Sequence, residues 1–219
     1  PLICSHAMGW NHTLWDAHRA RFSASHQFIT FDQRGSGDSD HPPFSEGSEC
    51  LYSADSFGDD LCAVLDDLKI EKAHVMGFSM GAATSMIVMA KDPRIQAGIF
   101  SGGYANSMDV LAEQAQVIYG LPRYPLMPMV AKFFAWRGDL DIDEINPEKY
   151  IAQISPRPVY IMHGTADKTV GFQHGQRLFE VAKEPKQFWE AENGEHTRLW
   201  QLDNEKADTS VTEFFGRYL

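Results

Sequence analysis

The chain has 219 residues, 43% of them hydrophobic and 22% charged, with a formal net charge of -11 at pH 7. That length and mix suit one large folded domain, and exclude both a disordered chain and two comfortable domains. The acidic balance, with no Lys/Arg-rich run, argues against a nucleic-acid partner and against attraction to an anionic membrane surface, and no apolar stretch approaches the roughly 20 residues that span a bilayer.

Short apolar runs alternate with longer helical patterns, which predicts βαβ units and a mostly parallel sheet flanked by helices, an α/β fold. Leu2 to Ser5 reads as the first strand, Leu14 to Phe22 as a helix and Gln27 to Phe31 as the second strand. The next helix, Asp55 to Leu68, gathers Phe57, Leu61, Val64, Leu65 and Leu68 on one face, leaving Asp59, Asp60, Asp66 and Asp67 to solvent. A strand over Ala73 to Met76 leads into a helix over Met80 to Ala90, followed by a strand over Ile95 to Ser101. From Gly103 to Tyr150 the rhythm breaks into two or three amphipathic pieces rich in Met, Phe, Leu and Pro, with no convincing strand. This stretch is expected to be a small helical cap, 103–150, inserted into a core formed by 1–102 and 151–219. The core resumes with a strand over Pro158 to His163, a helix over Phe172 to Ala182, a strand over Gln187 to Glu190 and a closing helix over Thr209 to Tyr218.

The three cysteines, Cys4, Cys50 and Cys62, are too few and too irregular for a disulfide framework or a zinc site, and a reducing, cytoplasmic compartment is expected. No signal peptide is read at Pro1-Leu2-Ile3-Cys4, which has neither a basic start nor a cleavage pattern. Cys4 and Cys62 fall in apolar patterns and read as small core residues, while Cys50 sits in a polar loop without a helper base. His12, His18, His26, His41, His74, His163 and His174 show no metal-ligand spacing with carboxylates or cysteines. Neither a metal nor a cofactor is predicted.

Chemistry concentrates in three places. Gly77-Phe78-Ser79-Met80-Gly81 lies between a predicted strand and a predicted helix. In that setting, flanking glycines let the backbone crowd together while a serine is held above the sheet edge, the context of a nucleophile elbow. A serine hydroxyl needs a base within hydrogen-bond reach and a third group to hold that base. Asp167 ends the turn after the strand Pro158 to His163, and His196 sits in the loop Asn193-Gly194-Glu195-His196 after the last strand. Either residue alone would pass for a turn aspartate or a surface histidine; with the elbow, the order Ser79, Asp167, His196 makes a candidate triad.

With these motifs the chain resembles the α/β-hydrolase family over nearly its whole length. Phe31-Asp32-Gln33-Arg34-Gly35-Ser36-Gly37-Asp38-Ser39 is similar to the F-D-x-R-G-x-G-x-S loop of the lipase, lactonase, proline-iminopeptidase and cofactor-free haloperoxidase-like branches, and reads as a structural Gly-rich turn. Ser5-His6-Ala7-Met8-Gly9 resembles the His-Gly segment that supplies half of the family's oxyanion hole. The resemblance implies the backbone N–H groups of Met80 and Met8 as donors, with His6 a structural hydrogen-bonding residue. Ala7 stands where the family usually has glycine, so a positive φ there would be strained. The family normally begins with two further strands before the segment that opens this chain. An uncovered sheet edge, with self-association through it, is therefore expected.

The resemblance implies hydrolysis of a small to medium apolar carboxylic ester through an acyl-enzyme. Phe78, Met108, Leu111, Met127 and Trp136 are candidates for the substrate pocket, although such spacing also suits the interior of the cap helices. Lactonase, thioesterase, C–C hydrolase, peptidase and perhydrolase or haloperoxidase activities use the same triad and stay open. So does a ligand receptor on this fold that turns over slowly or not at all, and so does an inactive fragment. A serine at the elbow disfavours the branches that carry aspartate or cysteine there.

Overall fold

In the computed structural model, residues 1–43, 51–138, 145–202 and 204–218 are described. Cys50 lies outside them.

The apolar runs become parallel strands because each is followed by a helix that carries the chain back to the same end of the sheet. In chain order these are β1 (Leu2–Ser5), a 3₁₀ turn (His12–Trp15), α1 (Asp16–Phe22), β2 (Phe28–Thr30), α2 (Ala54–Asp67), β3 (Ala73–Phe78), α3 (Met80–Lys91) and β4 (Ile95–Ser101). There follow α4 (Ser107–Tyr119), α5 (Arg123–Gly138), α6 (Pro147–Ile151), β5 (Val159–Gly164), α7 (Phe172–Val181), β6 (Lys186–Ala191), α8 (Leu199–Leu202) and α9 (Asn204–Tyr218). The strands form one six-stranded parallel sheet in the order β2-β1-β3-β4-β5-β6. The α/β expectation, with its flanking helices, is met.

Side-chain alternation along the strands splits the core into two layers. Ile3, Val75, Phe100 and Ile161 point into one layer with Leu61, Leu65, Met86 and Leu178 from α2, α3 and α7. Their neighbours Leu2, Met76, Ile99 and Tyr160 point into the other, where Phe22 of α1 and Val211, Phe214 and Phe215 of α9 cover them.

The elements depart from the expected spans where polar residues disguise the pattern. The first predicted helix divides into a 3₁₀ turn and α1, because the Asn11 side chain accepts the Thr13 N–H at 3.0 Å and starts a separate, tighter turn. Helix α9 begins at Asn204, ahead of the predicted Thr209, and contains the buried carboxylate Asp208. Asp208 accepts the Trp200 indole N–H at 2.8 Å and pairs with Arg21. Helix α8, which carries Trp200, is too short to show a period. Strand β3 runs two residues past its predicted end, to Phe78, and so delivers the chain directly to Ser79.

Between β4 and β5, α4 starts on the Asn106 side chain, which accepts the Asp109 N–H at 3.1 Å, and stops at Gly120 with φ 65°. Helix α5 packs on α4 through Met108, Ala112 and Met127, a small core of its own. Ile151 of α6 and Ile154 after it belong instead to the main core beneath α3.

Burial of imidazoles sets a pH dependence. Burial pushes His74 down to about 4, from an ordinary 6.5, and lowers His6, His18 and His163 as well. His74 Nδ1 is buried without a hydrogen-bond partner, so a proton there would be uncompensated. The unfolded chain therefore binds more protons than the native one between about pH 6.5 and 4, and stability present above this window is lost as pH falls through it. The melting temperature at pH 5 is expected to lie several degrees below that at pH 7.5, and replacing His74 with Leu should reduce the difference. A flat calorimetric profile over this range would contradict the assignment.

Candidate active site

The turn from β3 to α3 is built by exclusion. A Cβ on Gly77 would lie 2.5 Å from the Gly81 carbonyl oxygen, and one on Gly81 would lie 2.2 Å from that of Ser5. Only glycine fits at either place, so the elbow packs its backbone against the end of β1. Ser79 sits between them at φ 53° and ψ -117°, with its N–H donated to the Ser101 carbonyl at 2.9 Å. A serine in that region carries about 1–3 kcal/mol of backbone strain, which the surrounding contacts must hold.

Asp167 and His196 arrive on two loops that share backbone bonds. Ala166 N–H donates to the Gly194 carbonyl at 3.0 Å and Thr165 N–H to the Ala191 carbonyl at 3.0 Å, while Asn193 N–H donates to Thr165 Oγ1 at 2.8 Å. A Cβ on Gly164 would meet the Gly194 carbonyl at 2.1 Å, so this close approach again needs glycine. Asp167 is buried, and its Oδ1 accepts the N–H groups of Thr169 at 2.9 Å and Val170 at 2.8 Å. Its Oδ2 faces His196 Nδ1 at 2.6 Å, and His196 Nε2 lies 3.0 Å from Ser79 Oγ. Because an ionised carboxylate only accepts, Nδ1 of the neutral imidazole carries the proton and Nε2 presents its lone pair to the hydroxyl. Phe78 packs on the His196 ring with centroids 5.0 Å apart.

The loop after β1 is held by its own network. His6 is buried; its Nδ1 donates to the Ala7 carbonyl at 2.8 Å and its Nε2 accepts the Gln33 N–H at 3.0 Å. Gln33 Nε2 in turn donates to Ser5 Oγ at 2.7 Å and to the His6 carbonyl at 3.0 Å. The strain expected at Ala7 does not arise: the positive φ of this turn, 76°, falls at Gly9. Around Gln33, Arg34 forms a two-pronged pair with Asp60 at 2.7 and 2.8 Å, and Asp32 accepts the Asp38 N–H at 2.9 Å. Gly37 is tucked against the Asp32 carboxylate with no room for a Cβ.

A cavity of about 850 Å³ opens over Ser79, with Met80 and Met8 in its wall. Met80 is the first residue of α3, where backbone N–H groups have no intrahelical acceptor. Of the five pocket candidates, Leu111 alone lines this cavity. Met108 and Met127 are buried between α4 and α5, Trp136 is 80% exposed, and Phe78 supports His196. The walls come instead from Trp10, Phe57, Tyr104, Val110 and Val170, with the 34–37 turn on one side, so the Gly-rich loop both braces the fold and shapes the cavity. Trp10, Tyr104 and Val170 face the cavity from loops, where periodicity carries no signal, whereas Phe57 and Val110 face it from α2 and α4.

Two residues that sequence reasoning passes over reach the site. His163, wholly buried, donates its Nε2 proton to the Val170 carbonyl at 2.8 Å and lies 3.5 Å from Asp167 Oδ2. Gln33 ties the β1 loop to the Gly-rich turn. Among the described residues, no group of three or more His, Cys, Asp or Glu side chains is arranged to hold a metal ion.

The chain belongs to the alpha/beta hydrolase fold family, whose profile matches residues 1–129. Among curated proteins it is 29% identical over 163 residues to the uncharacterized protein YqkD of Bacillus subtilis, covering 71% of this chain and 53% of that protein. It is 27% identical over 160 residues to 2-hydroxymuconate semialdehyde hydrolase of a Pseudomonas species, covering 71% of this chain and 55% of that enzyme. The chain thus spans about half the length of the curated relatives it matches. Among solved structures, a Pyrococcus furiosus esterase superposes with a TM-score of 0.74 at 20% identity, covering 99% of this chain and 82% of that one. An enol-lactonase from Burkholderia xenovorans superposes with a TM-score of 0.72 at 18% identity, covering 98% and 90%. At such identities these likenesses establish the fold.

Proposed function

We propose that the protein is a serine hydrolase cleaving carboxylic esters of small to medium apolar substrates, with Ser79 as nucleophile, His196 as general base and Asp167 as the carboxylate that orients it. The contact series carries the reading: hydroxyl to imidazole at 3.0 Å and imidazole to carboxylate at 2.6 Å. Ser79 Oγ attacks the ester carbonyl as His196 Nε2 takes its proton, and the Met80 and Met8 amides receive the developing oxyanion. Collapse expels the alcohol, which leaves with the proton held on His196. Water, deprotonated by the same imidazole, then attacks the acyl-enzyme and releases the acid and Ser79. The cavity, with Trp10, Phe57, Val110, Leu111 and Val170 in its wall, suits an apolar acyl or alcohol group.

A second reading, lactone hydrolysis, is favoured by likeness to two enol-lactonases, that of Burkholderia xenovorans and the 3-oxoadipate enol-lactonase 1 of Acinetobacter baylyi, the latter 33% identical over 85 residues. A panel of p-nitrophenyl esters of increasing acyl length, lactones and anilides separates the two. Multiple turnover on acetate and butyrate esters is expected. Turnover confined to lactones selects the second reading, and fluorophosphonate labelling of Ser79 with no multiple turnover anywhere refutes both in favour of a receptor.

A further inference from the structure

His163 is an imidazole in a place built for a hydrocarbon. Residues two apart on a strand share a face, and Val159 and Ile161, which precede it on β5, belong to the core layer that Leu178 of α7 closes. The ring is wholly buried and meets the Phe172 ring edge-on, with centroids 6.0 Å apart. It also lies so close over Gly175 that a Cβ there would come 2.7 Å from its Nδ1. Burial lowers its pKa from the ordinary 6.5, so the ring is neutral, and Nδ1 has no hydrogen-bond partner. A buried nitrogen left unpaired is a cost that leucine, of similar size, would not bring. Packing alone therefore does not account for histidine here. What imidazole adds is one proton, on Nε2.

That proton goes to the Val170 carbonyl at 2.8 Å. The turn that follows Asp167 aims its amides inward, since Thr169 N–H and Val170 N–H both donate to Asp167 Oδ1, at 2.9 and 2.8 Å. Its carbonyls are held from outside. Gln114 Nε2 of α4 donates to Lys168 at 2.9 Å and Thr169 at 2.8 Å, and His163 holds Val170 from the strand beneath. His163 Nε2 also lies 3.5 Å from Asp167 Oδ2. With its hydrogen committed to Val170, it faces that oxygen as the positive end of a dipole rather than as a hydrogen-bond donor.

We propose that His163 is a positioning residue of the triad: by holding the Val170 carbonyl it fixes the turn that claims Asp167 Oδ1, and so keeps Oδ2 turned to His196 Nδ1. Its kinetic consequence rests on the hydrolase reading, whereas the contact between Asp167 and His196 can be followed in the resting protein.

Two variants separate the donor from the ring. His163→Leu removes the proton and keeps an apolar side chain of similar size, while His163→Gln keeps an N–H near the position of Nε2. In the parent, the Nδ1 proton of His196, in a 2.6 Å contact with a carboxylate, is expected as a far-downfield proton NMR signal. His163→Leu should lose or shift that signal and lower kcat toward p-nitrophenyl butyrate by about 10- to 100-fold, with KM within about twofold, at a melting temperature equal to the parent's or above it. His163→Gln should restore the signal and bring kcat to within roughly fivefold of the parent. A parental signal with parental kcat in the leucine variant overturns the proposal, and a parent without the signal refutes the contact that His163 is said to hold. A glutamine variant no better than leucine, or a loss of kcat that only follows a lowered melting temperature, assigns the ring to packing and overturns it too. A parent that turns over no substrate sinks the hydrolase reading, and the NMR signals of the two variants then decide the role of His163 by themselves.

Discussion

Ser79→Ala lowers kcat/KM toward p-nitrophenyl butyrate by about 10⁴- to 10⁶-fold and leaves the melting temperature nearly where it was. The two halves of that expectation have separate causes. In the proposed mechanism Oγ is the atom that forms the acyl bond, so its removal would leave only the attack of water on a substrate held near the amides proposed as oxyanion donors. Alanine at φ 53° is no less strained than serine, and the Ser79 N–H bond to Ser101 survives, so the fold gains and loses little. Labelling by a fluorophosphonate should vanish in the same variant. Turnover near the parental rate would remove Ser79 from the mechanism, whatever the melting curve shows.

Asp167→Asn is expected to cost about 10⁴-fold in kcat, a larger loss than its small change of shape suggests. The native carboxylate serves two clients at once, with Oδ1 accepting two backbone N–H groups and Oδ2 accepting the His196 Nδ1 proton. An amide has only one acceptor oxygen. If that oxygen stays with Thr169 and Val170, the NH₂ faces His196 and drives its proton to Nε2, where it blocks the serine hydroxyl. If the oxygen turns to His196 instead, the NH₂ confronts two N–H donors in a buried site, at a cost of about 1–3 kcal/mol for each group left unpaired. The first arrangement leaves an intact fold with an idle base, and the second a destabilised one. Thermal melts alongside kcat distinguish them, and a variant with both stability and turnover near parental values would show that Asp167 does not orient the imidazole.

The strands were legible because a parallel sheet buried on both faces makes each one a short apolar run, and Ile95–Ser101 is found where the pattern places it. The elbow was legible because the steric demand at Gly77 and Gly81 leaves a residue-level trace. The cap pocket was not. Met108 and Met127 have the spacing of lining residues, but α4 and α5 turn those side chains toward each other, and no single-helix period records which neighbour a face meets. Trp136 fails for the opposite reason, since its helix leaves it in solvent. His163 escapes notice because it sits within an apolar strand run, and its proximity to Asp167 arises only when the loop after β5 folds back over the strand end.

The stitching of the 165–167 turn to the 191–194 loop gives imidazole and carboxylate a common anchorage, with 2.6 Å between His196 Nδ1 and Asp167 Oδ2. The hydroxyl is anchored elsewhere, at the junction of β3 and α3. The 3.0 Å between Ser79 and His196 is therefore the contact of the series that joins side chains from differently anchored segments, and the proton transfer proposed for the site depends on it.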